Sequence, residues 1–152
     1  MAARFHRGGR LVVFGAGPDA AHVVVEFVHP VIVGKPALPA FSLAGPALAE
    51  QLELSAGPDD IALAITAGGD DHPGPGGDQR LTEAMDTAGR LGMLRVALLG
   101  AACGWRLEPG RVEHLITVRS ADPLVVREVQ VSCYHLLWEL VHVFLERPGA
   151  LS

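Results

Sequence analysis

His22 and Glu26 stand four residues apart in AHVVVEFV (21–28), so in a helix they share one face. An imidazole beside a carboxylate can pass protons near neutral pH or hold a metal ion. On an exposed helix the same pair is an ordinary ion pair worth about 0.3–0.5 kcal/mol. The flanking valines argue for burial, which shifts protonation and favours chemistry; a core or interface histidine is the plainer alternative. The spacing recurs at His135 with Glu139, beside the apolar CYHLLW, and at His142 with Glu146. Residues 15–20, GAGPDA, fit G-x-G-x-x-A, whose glycines let a phosphate approach a helix N-terminus. The same turn serves any strand-to-helix connection that needs small residues, and Asp19 places negative charge where phosphate would sit. Gly68, Gly69, Asp70, Asp71 and His72 form a further polar cluster that suits a cation or a polyol, or is simply a solvated loop. Cys103 has no neighbouring base or charge and is given no nucleophilic role.

These groups need a frame. Residues 10–14 (RLVVF) and 60–66 (DIALAIT) read as buried strands, and 36–43, 95–99 and 114–118 as further ones. Helices are predicted over 20–28 with Asp19 as N-cap, and over 46–54, 79–91 and 124–146. Strands that alternate with helices and are apolar throughout predict a parallel sheet covered on both faces. The expectation is an α/β, three-layer sandwich with a doubly wound, five-stranded parallel sheet of flavodoxin-like topology. In that fold, ligands sit at the carboxyl ends of the strands. Residues 10–147 form one domain, with a short helix or tail at 1–9 and a tail at 148–152. The last helix is apolar nearly all round, more than one buried face requires. A homo-oligomer, dimer or tetramer, built through the 124–146 helix is therefore expected.

Composition narrows the function. The 152 residues are 49% hydrophobic and 19% charged, enough apolar side chain for a core. Twelve Lys and Arg face 17 Asp and Glu, a net charge of −5, which gives no electrostatic case for nucleic acid or an anionic membrane. The apolar stretch 129–145 is interrupted by His135, Glu139 and His142 and is too short to span a bilayer. With two cysteines and no apolar leader, a cytoplasmic location is expected.

Four segments in order, GRLVVFGAG (9–17), AHVVVEFV (21–28), DIALAITAGGD (60–70) and GRLGMLRVALLG (89–100) with VREVQVSCYHLLWEL (126–140), resemble the sugar isomerase (SIS) domain family, and within it the phosphoheptose isomerases. That resemblance implies interconversion of aldose and ketose phosphates through an enediol. Glu26 would act as base and His135 as acid. His22, Glu26 and His135 would be ligands for a metal ion, usually zinc, at a site completed between subunits. Gly15, Gly17, Asp19, Thr66, Gly68, Asp70, Asp71 and Arg127 would line the substrate. The chain also departs from the family. Its first loop lacks a serine, the Ser/Thr-rich phosphate cradle is reduced to Thr66, and Arg127 stands where a ligand glutamine is usual. The helices before the first strand are reduced to 1–7. A carboxylate about 4 Å from a phosphate repels it by roughly 1 kcal/mol in water. Two readings follow: a module that binds a sugar-phosphate-like ligand without turnover, and an active isomerase of the sedoheptulose 7-phosphate type. A nucleotide-binding domain, resting on the glycine turn alone, is the third.

Overall fold

The computed structural model describes residues 1–30, 32–68, 77–101, 103, 110–147 and 149, with backbone alone at 77 and 78. The elements are α1 (Ala2–His6), β1 (Leu11–Gly15), α2 (Gly17–Val28), β2 (Ala40–Ser42), α3 (Leu48–Ser55), β3 (Ile61–Thr66), α4 (Gly77–Arg90), β4 (Leu94–Gly100), β5 (His114–Val118) and α5 (Pro123–Leu145). The sheet order is β2-β1-β3-β4-β5 and every adjacent pair is parallel, the doubly wound order expected.

Alternation along the strands builds two cores. Leu11, Val13, Ile61, Leu63, Ile65, Val96 and Leu98 face α1, α2 and α5. Val12, Phe14, Ala62, Ala64, Ala97 and Leu99 face α3 and α4. Because both faces are covered, the central strands read as unbroken apolar runs. Each fully buried Leu, Ile or Phe stabilises by about 1.5–3 kcal/mol. Surface pairs such as Arg90 with Glu53 contribute about 0–1 kcal/mol, so packing sets the fold. The N-terminal segment joins this core, with Phe5 stacked on Phe27 at a ring separation of 6.0 Å.

Two boundaries differ from expectation. Helix α2 starts at Gly17, with Ala16 as N-cap and no side-chain cap, so Asp19 lies inside the first turn. Pro18 explains this, since its fixed φ suits a first turn where its missing N–H is not needed. Strand β2 is only three residues long, because Pro36 and Pro39 lack donors for the ladder. Among the described residues, no helix is long and apolar enough to cross a membrane. Cys103 and Cys133 are half-buried, and neither is in a disulfide.

At the amino end of the sheet, buried Asp60 ties three segments together. It accepts from the Arg10 amide at 2.7 Å, Arg10 Nη2 at 2.7 Å and the Gly57 amide at 3.0 Å. Burial pushes its carboxyl up, but the hydrogen bonds from Arg10 and Gly57 outweigh that and hold it below the ordinary 3.8. A depressed acid stabilises the fold above its unfolded-state value and loses that contribution as pH falls through the folded-state value. Asp60→Ala is expected to cost about 2–3 kcal/mol in urea unfolding at neutral pH. The gap between variant and parent should close as the pH is lowered below 3.8.

Candidate functional site

Helices α2 and α5 lie side by side on one face of the sheet, with Val23 and Phe27 from the first and Tyr134, Trp138 and Val141 from the second in the same core. Polar residues line the seam above that core. On α2, Asp19, His22 and Glu26 are spaced i, i+3, i+7; on α5, Arg127, Tyr134 and His135 are spaced i, i+7, i+8. Each set therefore shares one helix face. The contacts advance together along both helices, which run in the same direction. Arg127 Nε lies 3.2 Å from Asp19 Oδ2. The Tyr134 hydroxyl is 2.6 Å from His22 Nδ1. His22 Nε2 is 3.5 Å from Glu26 Oε1, and His135 Nε2 is 3.1 Å from Glu26 Oε2.

Glu26 is the centre of this arrangement. Its side chain is 15% exposed, against 49% for His22 and 45% for His135. The carboxylate is thus sheltered while both imidazoles reach solvent. The three rings of His22, Tyr134 and His135 meet edge to face, at centroid separations of 5.1–6.3 Å. Tyr134 is buried, and its hydroxyl is pushed up to about 12 by burial and by the charges of Glu26 and Asp19. It is a neutral phenol at any working pH.

The remaining expected residues gather at the carboxyl ends of β1 and β3, the point where the strand order reverses. Gly15 has φ +126°, and a Cβ there would lie 2.0 Å from the Ile65 carbonyl oxygen, so the turn demands glycine. At Gly17 an added Cβ would meet open space, so packing does not require that glycine. The Gly68 amide donates to Thr66 Oγ1 at 3.2 Å, and a Cβ at Gly68 would lie 3.0 Å from the Cys103 backbone. Asp70 and Asp71 lie outside the described residues. The structure thus brings together His22, Glu26 and His135 in the seam, and Gly15, Asp19, Thr66, Gly68 and Arg127 at its upper end.

In donor type, two imidazoles and a carboxylate suit zinc. In placement they meet pairwise, each carboxylate oxygen turned to a different imidazole. Among the described residues, no group of three or more His, Cys, Asp or Glu side chains is placed to hold a metal ion. Arg127, at the position of the expected fourth ligand, is a cation that donates only and cannot ligate.

Two residues here carry no motif. Tyr134 is the only tyrosine of the chain and directly precedes His135. Gln130 is a lone amide in the apolar run VQVS and is completely buried. Its Nε2 donates to the Thr66 carbonyl at 2.9 Å and the Leu98 carbonyl at 3.1 Å, pinning α5 to the ends of β3 and β4. A polar residue inside an otherwise apolar helix face is the signal that marks both. Gln130→Leu takes one donor from each of two buried carbonyls and is expected to lower stability by about 1–3 kcal/mol, read from the urea midpoint.

Known proteins bear on this geometry. No protein-family model matches the chain. The phosphoheptose isomerase of Desulfovibrio desulfuricans is 30% identical over 164 residues, covering 100% of this chain and 77% of that protein. The phosphoheptose isomerase of Maridesulfovibrio salexigens is 25% identical over 171 residues, covering 100% and 79%. Among solved structures, a phosphoheptose isomerase from Francisella tularensis superposes with a TM-score of 0.75 at 22% identity, over 93% of this chain and 81% of that one, and so shares the fold. With the first relative matched along the whole chain and most of its own length, this SIS-type domain belongs to the phosphoheptose isomerase family.

Proposed function

We propose that the chain isomerises a sugar phosphate between its aldose and ketose forms, with Glu26 as base and His135 as acid. The observation that supports this most is the sheltered Glu26 carboxylate with an imidazole at each oxygen. Glu26 takes the proton from the carbon beside the carbonyl, and the electron pair left behind forms the enediol double bond. His135 gives a proton to the carbonyl oxygen and takes one from the neighbouring hydroxyl. Glu26 then returns its proton to the adjoining carbon, so atoms and charge balance over the cycle. Arg127, held at the first turn of α2 by Asp19, supplies the positive charge nearest the phosphate end.

One observation favours the second reading, ligand binding without turnover. The Asp19 carboxylate already occupies the anion position beside Arg127, and Thr66 is followed by Ala67 and Gly68 in place of further hydroxyls.

Purified protein assayed with millimolar sedoheptulose 7-phosphate, with and without added zinc, separates the two. Turnover that Glu26→Gln lowers by about 100-fold or more, with the fold intact by circular dichroism, is expected. Binding seen by calorimetry with no turnover in either condition would establish the second reading instead.

Assembly belongs to the same proposal. Leu124, Val125, Val129, Leu136, Leu140 and Phe144 stand exposed along α5, an apolar surface that suits a second copy of the chain. Sedimentation equilibrium is expected to give a dimer or tetramer; a monomer at micromolar concentration would overturn it.

A further inference from the structure

We propose that the C-terminal end of α5 is an acid-sensitive latch: His142 docks it only as a neutral imidazole, and a proton on that ring releases the last turns of the helix. The inference goes beyond the isomerase reading and does not depend on it.

His142 lies in the last turn of α5, with 1% of its surface exposed. It stands one turn from Trp138, which is also buried, and the two rings are 4.3 Å apart between centroids, at 60°. Among the described residues, neither Trp138 Nε1 nor His142 Nε2 has a hydrogen-bond partner. A protonated imidazole carries an N–H on both nitrogens, whichever of them held the proton before. The charged ring would therefore bury an N–H that has no acceptor, together with its charge. Opening the helix end gives water to Nε2 and to the indole N–H alike. Release thus relieves two unpaired polar groups as well as the buried charge.

Two described charged groups act on the ring. Glu146, one turn further along α5, favours the cation, and Lys35, from the connection between α2 and β2, opposes it. Lys35 Nζ is itself paired with Glu146 Oε1, so the carboxylate is already engaged. No charged group of α1 or α2, which also pack on α5, is among those acting on the ring. The carbonyls at the helix end and the neighbouring indole favour a cation. Burial is the largest influence and, with Lys35, holds the imidazole below its ordinary 6.5. A base held down in the folded chain stabilises it fully above 6.5, and that contribution is lost as pH falls from there to the folded-state value. The latch acts on the helix that carries His135, two turns before His142.

Hydrogen exchange of the full chain, corrected for the intrinsic effect of pH, reads the latch. From about pH 7.5 to about pH 5.5, opening of residues 139–145 should rise several-fold, with about tenfold as the ceiling one unit below the ordinary value. His142→Gln is neutral throughout, so the same segment should lose most of that pH dependence. In the parent, carbon-13 spectra should show the His142 ring titrating below 6.5. A ring that titrates at or above 6.5, a parent segment that opens equally at both pH values, or a His142→Gln segment as pH-dependent as the parent's would overturn the proposal. The spectrum needs no variant and neither measurement needs turnover, so this inference and the isomerase reading fail separately.

Discussion

The parallel docking of α2 and α5 on one face of the sheet is the constraint on which the rest depends. Val23 and Phe27 from α2 and Tyr134, Trp138 and Val141 from α5 are buried against β1, β3 and β4. Each contributes about 1.5–3 kcal/mol through apolar burial. The polar contacts above them are pairs with at least one partly exposed member, and the ion pairs contribute about 1 kcal/mol or less apiece. Packing therefore places the polar row, and the row does not hold the helices. Gly100 allows the approach, since a Cβ there would lie 3.1 Å from Val126 Cγ1 and 2.2 Å from the Ala67 carbonyl oxygen. Gln130 then fixes the depth at which α5 sits, through the Thr66 and Leu98 carbonyls.

Much of this frame was legible in the chain. The unbroken apolar runs at 10–14 and 60–66 and their alternation with helical segments led to the parallel sheet, because burial on both faces leaves no polar positions to interpret. His22 and Glu26 were visible as a pair through their spacing of four. That His135 completes the pair from more than a hundred residues away follows from tertiary packing, which local periodicity does not encode; the family resemblance supplied it. The partners in between were marked only by a polar atom on an otherwise apolar helix face. Tyr134 and Gln130 look like core residues in a core helix, and they are; their polar atoms do the positioning while their bodies pack. Asp19 was misplaced as an N-cap because the helix runs on through Pro18 to Gly17.

The upper end of the row shows how one ion pair can change what a phosphate meets. Arg127 and Asp19 are each partly buried, with side chains 39% and 21% exposed. A bound phosphate gains from the guanidinium and loses from the carboxylate. At about 4 Å each of these is roughly 1 kcal/mol in water and about 4 kcal/mol at the lower effective dielectric near a protein surface. Because the two nearly cancel, binding depends on which group lies closer and on whether the anion replaces Asp19 at Arg127. The Gly68 amide and the β1 turn, held open by Gly15, lie at the same end of the sheet.

Distance along α2 links the two ends of the row to the size of a substrate. Asp19 and Glu26 are seven residues apart, which in an α-helix is about 10.5 Å along the axis. In an extended sugar phosphate, each bond advances the chain by about 1.25 Å. From the terminal carbon of a heptose to a phosphorus on its seventh oxygen is eight bonds, or about 10 Å. A triose phosphate covers about half of that. A ligand whose carbonyl carbon met Glu26 and whose anion met Arg127 would have to bridge that axial spacing, less what the two side chains reach across it.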